Sequence, residues 1–426
     1  MKYASHSRAL FSPKSRKFMQ LRNNSILLLL LLLAGFGPVA CQQHPTTISD
    51  TVHPVDSVVV AAAPTKVDSF RVARISAVGD LMVHSTQYNY ARINADSFDF
   101  RPCFAEVEPY LAGADFTIGN FETVLAGKRV PYNGYPAFNT PDDFLDALQG
   151  AGFDFLVTSN NHSMDQGEKG VLRTLDLLDQ YGFAHTGTYR SPADRDSIRV
   201  VNLNGIRMAI VNFTYGTNGN SVPKAKPWLV NQIDTALVRQ DLAAAAALNP
   251  DLVMAFFHFG LENQHVPNAA QKQVVKHAIK HGADIILGAH PHMIQPVEFF
   301  KATGGRLDSG FVAWSLGNFI SNQYWRYTDA GLILNLEITQ NLIQDSIYIS
   351  EASYLPTWVF RGRHPKKKIH VILPAEKGLQ DSSYFYINDT SQNKMKEAFE
   401  DTQKYLNKYQ KIDLIPLKEE KVKLDQ

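Results

Sequence analysis

The sequence has little of two features that define many small secreted and nucleic-acid-binding proteins, namely cysteine and an excess of one charge. Two cysteines in 426 residues exclude a small disulfide-stabilised scaffold. Forty-two Lys and Arg residues against 41 Asp and Glu give a formal net charge of +1, which argues against a broadly basic surface, so we predict no nucleic-acid partner. At 45% hydrophobic residues, the chain can bury a large core.

Long apolar runs are also scarce, and the longest lies near the N-terminus. Residues 26–40 follow several Lys and Arg residues and are too short for a membrane-spanning helix, which needs about 18 residues or more. The run ends at Val39-Ala40-Cys41, which resembles a bacterial lipoprotein cleavage site. We interpret residues 1–41 as a signal peptide ending at a lipidated Cys41, in preference to a short membrane anchor, and residues 42–69 as a flexible tether. The protein is therefore expected outside the cytoplasm, anchored to the membrane through lipid.

Cys103 is then left without a cysteine partner in the chain. It is most simply a small buried hydrophobic residue, because the neighbouring sequence supplies no base that would activate a catalytic thiol.

From residue 70 the chain repeats a pattern of a short apolar run, a polar cluster and often a helix. Runs without alternation are typical of strands buried on both faces, and they occur at residues 72–78, 116–118, 153–157, 208–213, 252–257, 285–287 and 311–314. Helices are predicted at residues 141–148, 170–181 and 269–281. We assign an α/β domain to residues 70–375, with two alternating strands after Gly331, and a helical extension with a charged tail to residues 376–426.

Polar clusters follow the predicted strands in order. The carboxyl ends of strands in an open α/β sheet border the binding crevice, so these side chains are expected to meet at one edge. The clusters supply carboxylate, amide and imidazole groups from Asp80, His84, Glu122, Asn161, His258, His290 and His292.

Carboxylate, amide oxygen and imidazole ligands without thiolates favour a divalent Mn, Fe or Zn ion. Seven candidates are too many for one four-coordinate ion and fit two ions that share a bridging carboxylate. An extended backbone would point His290 and His292 to opposite faces, whereas a bend at Pro291 would let each reach one of two adjacent ions. Singly, each residue has a structural explanation as a turn or core residue; the ordered set is what favours a metal site. Six further histidines do not belong to a polar cluster at the end of a predicted strand and receive no ligand role: His185, His265, His277, His281, His364 and His370.

At these residues the chain resembles the calcineurin-like metallophosphatase superfamily, and within it the CapA/PgsA family associated with poly-γ-glutamate capsule synthesis. The resemblance covers residues 75–359. It depends on Gly79-Asp80, Gly119-Asn120-Phe121-Glu122, Asn160-Asn161-His162, His258-Phe259-Gly260, Gly288-Ala289-His290-Pro291-His292, Ser315-Leu316-Gly317-Asn318-Phe319 and Pro356-Thr357-Trp358-Val359. It implies a four-layer α/β/β/α sandwich with the site at the strand ends.

The resemblance also implies roles for individual residues. Asp80 and His292 would hold the first metal ion; Asn161, His258 and His290 would hold the second; Glu122 would bridge them; and His162 would act as a general acid or transition-state contact, with Asp80 beside it at the catalytic centre. His84, Asn120, Asn160 and Asn318 are further candidates, as ligands or as hydrogen-bond partners of ligands.

Three departures separate the chain from true phosphatases and match the capsule branch. His84 lies four residues after Asp80 rather than two, Glu122 replaces the usual bridging Asp, and Ser163 follows His162 where phosphatases carry an acid. These departures argue against phosphate-ester hydrolysis, but they do not change the prediction of a metal site.

The leading hypothesis is a metal-dependent hydrolase of capsule or envelope polymer metabolism that acts on a γ-glutamyl amide or a phosphoester. One alternative is a non-catalytic accessory protein that binds an anionic polymer for a membrane synthase or exporter. Another is an exported metallophosphoesterase.

Overall fold

The computed structural model describes residues 69–303, 306–364, 367–376 and 388–415. The predicted signal peptide, Cys41 and nearly all of the tether lie outside these residues, as does the charged tail after residue 415. Within the described ranges, no helix has both the length and the apolar character needed to cross a membrane.

Two sheets form the centre of the domain, with strands numbered along the chain. The first sheet contains β1 (Phe70–Leu81), β2 (Phe116–Asn120), β3 (Phe155–Val157), β4 (Ala184–Thr186), β11 (Asn318–Ile320), β12 (Ala330–Asn341), β13 (Ser346–His364), β14 (Lys367–Pro374) and β15 (Asp413–Leu414). The second contains β5 (Arg199–Leu203), β6 (Ile206–Thr214), β7 (Leu252–His258), β8 (Ile285–Ala289), β9 (Val297–Lys301) and β10 (Ser309–Ala313).

Each sheet combines a set of parallel strands with antiparallel strands. The order of the first sheet is β14-β13-β12-β1-β2-β3-β4, with β11 beside the end of β1 and β15 beside β13. Strands β1 to β4 are parallel, and β12 to β14 form an antiparallel meander that joins at β1. The second sheet runs β5-β6-β7-β8-β10-β9, with β5 and β9 antiparallel at its edges. The alternating strands predicted after Gly331 are confirmed as β12 and β13.

The helices are α1 (Ser85–Ala91), α2 (Glu108–Leu111), α3 (Phe144–Gly150), α4 (Gly167–Tyr181), α5 (Pro192–Asp196), α6 (Thr235–Ala247), α7 (Ala269–Lys280) and α8 (Asp389–Leu406). The helices predicted at residues 170–181 and 269–281 are confirmed as α4 and α7. Helix α4 ends at Gly182, which has a φ of 81° that favours glycine. Helix α3 begins at Phe144, three residues later than predicted, because residues 141–143 form a turn before it.

Three apolar clusters separate four layers. One lies between the sheets and joins residues such as Ile118 of β2 to Met254 of β7. A second packs α3 and α4 on the outer face of the first sheet through residues such as Leu148 and Leu178. A third packs α6 and α7 on the outer face of the second sheet. The predicted four-layer α/β/β/α sandwich is confirmed, and the carboxyl ends of both parallel regions meet at one edge.

Candidate metal centre

Both sheets deliver polar side chains to this edge. From the first sheet come Asp80 near the end of β1, Asn120 at the end of β2, Glu122 just beyond it, and Asn161 and His162 after β3. From the second come His258 at the end of β7 and His290 and His292 after β8. All of these side chains are buried, which is unusual for charged groups unless they pair or bind a cation.

The carboxylates and imidazoles fall into two groups with one common member. One ligand atom from each of Asp80, Glu122 and His258 lies within 4.8 Å of the others, and the same holds for Glu122, His290 and His292. Glu122 belongs to both groups, so its carboxylate is placed where a bridging ligand would be. The two groups place Asp80 with His258 and His290 with His292, whereas the resemblance assigns Asp80 and His292 to one ion and His258 and His290 to the other.

His292 is held by two oxygen atoms. Its Nδ1 lies 2.9 Å from Asp80 Oδ2 and 3.1 Å from Asn318 Oδ1. The Asn318 side chain is fixed in turn, because its Nδ2 donates to the carbonyl of Thr328 at 2.9 Å. Asp80, His292 and Asn318 therefore form one compact set of donor atoms.

His258 contacts an amide and a carboxylate. Its Nε2 lies 2.9 Å from Asn161 Oδ1 and 3.6 Å from Glu122 Oε1. The ring of His290 lies 4.8 Å from that of His258, between centroids. These contacts bring together Asn161, His258 and His290, the residues that the resemblance assigns to one ion.

The backbone around the two histidines after β8 is bent, as expected at Pro291. His290 and His292 have φ values of 97° and 56°, a region that residues other than glycine rarely adopt. Because the segment is not extended, both side chains reach the same centre. Such strain persists only where the surrounding structure enforces it, and it often marks a functional site.

Close backbone approach also shapes the first sheet near the centre. A Cβ atom on Gly79 would lie 1.9 Å from the carbonyl oxygen of Gly317, whereas the Asp80 amide donates to that oxygen at 2.9 Å. Glycine at position 79 thus lets the loop that carries Asn318 lie against β1.

The electrostatics of the cluster fit a divalent cation. Burial and the neighbouring histidines lower the pKa of His258 well below its usual value, and burial lowers that of His290 to about 3, so both rings are neutral and able to act as ligands. Burial and the charge of Asp80 raise the pKa of Glu122 well above its usual value, a cost that a bound cation would offset. Within this cluster, the buried atoms without a hydrogen-bond partner are Asn120 Oδ1, Glu122 Oε1 and His290 Nδ1. A metal ion would satisfy such buried ligand atoms.

Asp80 and His292 form a close carboxylate–imidazole pair, with 2.9 Å between Asp80 Oδ2 and His292 Nδ1. Burial alone would raise the pKa of Asp80, but the hydrogen bond and charge of His292 outweigh it, and the net shift is downward. Burial would likewise lower the pKa of His292, yet its bond to Asp80 produces a net rise.

His162 stands next to the cluster and is held by a carboxylate. Its Nδ1 lies 2.7 Å from Asp165 Oδ2, which also accepts the Phe138 amide at 2.8 Å. The Phe138 ring meets the imidazole edge to face, with centroids 4.6 Å apart. The other ring nitrogen of His162, Nε2, lies 3.5 Å from Asn218 Nδ2. This arrangement orients one imidazole nitrogen for proton transfer.

The additional candidates have different surroundings. Asn120 is central, since its Nδ2 lies 2.8 Å from Asp80 Oδ1, 3.3 Å from Glu122 Oε2 and 3.1 Å from His258 Nδ1. Asn160 instead donates to the carbonyl of Phe121 and accepts the amide of His162, so it shapes the loop.

His84 belongs to neither ligand group. Its Nδ1 accepts the Asn322 amide at 3.3 Å and lies 3.2 Å from Gln87 Oε1, and burial lowers its pKa to about 4.

Three residues at the centre received no role from the sequence. Asp165 holds His162, Tyr215 lies with its ring 4.5 Å from that of His290, and Asn218 Oδ1 accepts from Asn161 Nδ2 at 3.3 Å. Tyr215 and Asn218 follow β6 directly, as the other polar candidates follow their strands. The same strand-end rule would have found them.

Residues given no ligand role have partners elsewhere. His185 Nε2 lies 2.9 Å from Asp179, the His265 ring stacks on Tyr405, and His277 Nε2 lies 2.8 Å from the Thr235 carbonyl oxygen. Cys103 is buried, which raises the pKa of its thiol to about 12 and leaves it unreactive as a nucleophile.

Comparison with known proteins points to capsule synthesis. The family model for the bacterial capsule synthesis protein PGA_cap matches residues 74–323, more than half of the chain. The capsule biosynthesis protein CapA of Bacillus anthracis is 29% identical over 288 residues, which cover 66% of this chain and 67% of that protein. The PGA biosynthesis protein CapA of Bacillus subtilis is 27% identical over 275 residues, covering 63% and 69%.

Among solved structures, the NAD nucleotidase of Haemophilus influenzae aligns with a TM-score of 0.42 at 13% identity. The alignment covers 82% of this chain and 58% of the nucleotidase.

Proposed function

The chain belongs to the bacterial capsule synthesis protein PGA_cap family, and from that membership and its strand-end cluster we propose that it is a metal-dependent hydrolase of capsule or envelope polymer biosynthesis. It would be exported and held at the membrane by lipid on Cys41. Its substrate would be an anionic polymer with γ-glutamyl linkages, handled beside a membrane synthase or exporter. The observation that carries the proposal is the sharing of Glu122 between two groups of buried ligand atoms.

Two divalent ions, Mn, Fe or Zn, suit this set of donors. Asp80 and His292 would hold one, Asn161, His258 and His290 the other, and Glu122 would bridge them. Bound there, the ions would lower the pKa of water and polarise the bond under attack. Asn120 supports the arrangement, because its amide nitrogen holds Asp80 and Glu122 in position.

The protein's own acid would be His162. Asp165 fixes its Nδ1, so the Nε2 is the atom that can deliver a proton to the leaving group or contact developing charge. The exposed rings of Tyr135 and Tyr215 lie near His162 and His290 respectively, and they would border the bound substrate.

A test combines metal analysis with two substrates. We expect the purified protein to bind Mn or Zn and to hydrolyse a γ-glutamyl oligomer, with activity lost in His162→Ala and retained in His185→Ala. His185 is a matched control because it is also a buried histidine paired with an aspartate, away from the centre.

Each alternative has its own outcome. Absence of bound metal, and no hydrolysis on adding Mn or Zn, would favour an accessory polymer-binding protein. Rapid turnover of a generic aryl phosphate, lost in His162→Ala, would favour a phosphoesterase.

The lipid anchor is tested separately. We expect metabolic labelling with a radioactive fatty acid to mark the wild-type protein, and Cys41→Ser to abolish the label and release the protein from membranes. A labelled Cys41→Ser variant would contradict the proposed anchor.

A further inference from the structure

A polar cavity, called the basic pocket below, lies beside the segment that carries His162. It has a volume of about 550 Å³ and is formed by the loop at residues 126–130 and the first turns of α4. Its charged lining residues are all cations, namely Lys128, Arg129, Lys169 and Arg173.

Two acids beside this basic pocket, Asp142 and Glu168, are already paired. Arg173 forms a two-point contact with Asp142, at 2.8 and 2.6 Å. Glu168, next to Lys169, is bound by Lys226 at 2.5 Å. The positive charge of the pocket therefore comes from residues other than Arg173.

Three cations remain available to a ligand. Lys128 lies 4.0 Å from Asp96, and because both side chains are more than 70% exposed this contact contributes little. Across the described ranges, no ion pair within 4.0 Å involves Arg129 or Lys169.

The wall of the basic pocket is held in place by a buried side chain. Asn139 Nδ2 donates to the carbonyl oxygen of Val130 at 3.0 Å and that of Gly127 at 3.2 Å, and Asn139 Oδ1 accepts the Ala126 amide at 2.8 Å. A fixed loop loses little conformational freedom on binding.

A chain of hydrogen bonds connects the basic pocket to His162. Gln166 lines the pocket and donates from Nε2 to the Phe138 carbonyl at 3.0 Å. The amide of Phe138 in turn donates to Asp165, which holds His162. One short segment thus borders both places.

The kind of cation indicates the kind of anion. The guanidinium of Arg173 is occupied by Asp142, which leaves the guanidinium of Arg129 and the ammonium groups of Lys128 and Lys169 to bind an anion. Three separate cations around one cavity suit several carboxylates spaced along a chain, as in the anionic polymer of the proposed function.

We propose that the basic pocket is a second subsite, which binds carboxylate groups of an anionic polymer while another part of the same polymer lies at the metal centre. The ligand class is a polycarboxylate of the γ-glutamyl type. This inference rests on the proposed function and adds a binding site to it.

The test compares two charge-matched triple variants by equilibrium binding to poly-γ-glutamate. Lys128→Glu, Arg129→Glu and Lys169→Glu together alter the pocket. Arg239→Glu, Lys280→Glu and Lys301→Glu make the same change of charge on the second sheet and its helices. We expect the pocket variant to bind at least about tenfold more weakly than wild type, and the control to stay within about twofold.

The chemistry of the ligand is tested in the same assay. We expect poly-γ-glutamate to compete with labelled polymer, and monomeric glutamate, inorganic phosphate and a neutral polymer to compete poorly. Equal binding by the pocket variant and wild type, equal losses in both triple variants, or preferential occupancy by phosphate would each overturn the proposal.

Hydrolysis of a γ-glutamyl dipeptide separates this inference from the proposed function, since it measures turnover of a single linkage without the rest of the polymer. We expect the pocket variant to keep wild-type dipeptide hydrolysis and metal content. If the pocket variant binds polymer more weakly but neither protein hydrolyses any substrate, the second subsite is supported and the proposed hydrolase is overturned. If the dipeptide is hydrolysed but the pocket variant binds polymer as well as wild type, the hydrolase is supported and the second subsite is overturned.

Discussion

At the scale of single residues, the metal centre depends on side chains that hold other side chains. Asn120 is within hydrogen-bond distance of two carboxylates and of His258, and Asn318 positions His292. Such partners fix the orientation of ligands before any ion binds, and their loss usually weakens metal affinity or activity. Asp165 has the same relation to His162.

Asp165→Asn should reduce hydrolysis more than it affects folding or metal content. An amide oxygen can still accept from His162 and Phe138, but it carries no negative charge to stabilise the charge that develops on the ring during proton transfer. We expect turnover to fall about ten- to hundredfold, with metal content unchanged. Steady-state kinetics and elemental analysis measure both.

Asp179→Asn is the control for this change, because Asp179 pairs with His185 away from the centre. Equal loss of activity in the two variants, or loss of metal in Asp165→Asn, would show that Asp165 does not act through His162.

Sequence reasoning at this scale succeeded where polar residues directly follow apolar runs. Asp80, Glu122 and His258 were predicted from that pattern, and the structure brings them together. Tyr215 and Asn218 needed only the same rule applied to β6. The contact between Asp165 and His162 was harder to predict, since a turn that places residues three apart in contact has no distinctive sequence signal.

At the scale of elements, helix α7 supports the segment that carries His290 and His292. Asn268 caps the helix by accepting the Gln271 amide at 2.9 Å, and Gln271 Oε1 accepts the Asn268 amide at 3.0 Å. The same Gln271 donates to Gln295 at 2.9 Å, just beyond the two histidines. The helix start is therefore connected to the loop of the metal centre.

Asn268→Ala should destabilise the protein by about 1 kcal/mol, since it removes the cap and leaves the Gln271 amide without its acceptor. Urea unfolding at equilibrium measures the loss. Gln273→Ala, on the exposed face of the same helix, is the control and should change stability by less than about 0.5 kcal/mol. Equal losses in the two variants would mean that the cap contributes nothing.

Asp329, immediately before β12, makes stability depend on pH. Burial raises its pKa to about 6, while its bond from Trp358 Nε1 and the charge of Lys394 act in the opposite direction. The folded state then binds the proton more tightly than the unfolded state, whose carboxyl has a pKa of 3.8. The stabilisation is full below about pH 4 and is lost as the pH rises through about 6.

Asp329→Asn should remove this dependence, because the amide oxygen can still accept from Trp358 without ionising. We expect the variant to gain about 1–3 kcal/mol over wild type at pH 7 and little at pH 4, measured by urea unfolding at both values. Exposed Asp308 provides the control, as Asp308→Asn. A gain of equal size at both pH values would contradict titration of Asp329 as the cause.

The elements themselves were largely predictable, whereas their arrangement was not. Apolar runs and glycine stops predicted the strands at the centre of both sheets and helices α4 and α7. Period and propensity do not specify which strands are neighbours, so the direct pairing of β12 with β1 could not be read from them. Positive φ at His290 and His292 is also enforced by tertiary contacts and has no local signal except Pro291.

At the scale of the whole molecule, the metal centre joins the two sheets. Asp80, Glu122 and Asn161 come from the first sheet, and the three candidate histidine ligands, His258, His290 and His292, come from the second. Below them lies the continuous apolar core between the sheets. The resemblance predicted this architecture from residues 75–359, but the predicted helical extension at residues 376–426 gave no indication that Met395 and Leu406 of α8 would pack into the same core.

Because the ligands are divided between the sheets, metal binding should stabilise the domain as one unit. At a free metal concentration 100 times the Kd, binding to the folded state contributes about 2.7 kcal/mol. We expect Mn or Zn to raise the Tm of chelator-treated protein by several degrees in a single transition.

His290→Ala should fold with a Tm close to that of metal-free wild type, and metal should raise this Tm only weakly. The control is His281→Ala, at the end of α7, whose Tm should rise with metal as much as that of wild type. If His290→Ala were unfolded even in excess metal, the cluster would be needed for folding itself, and its buried histidines would be structural rather than functional.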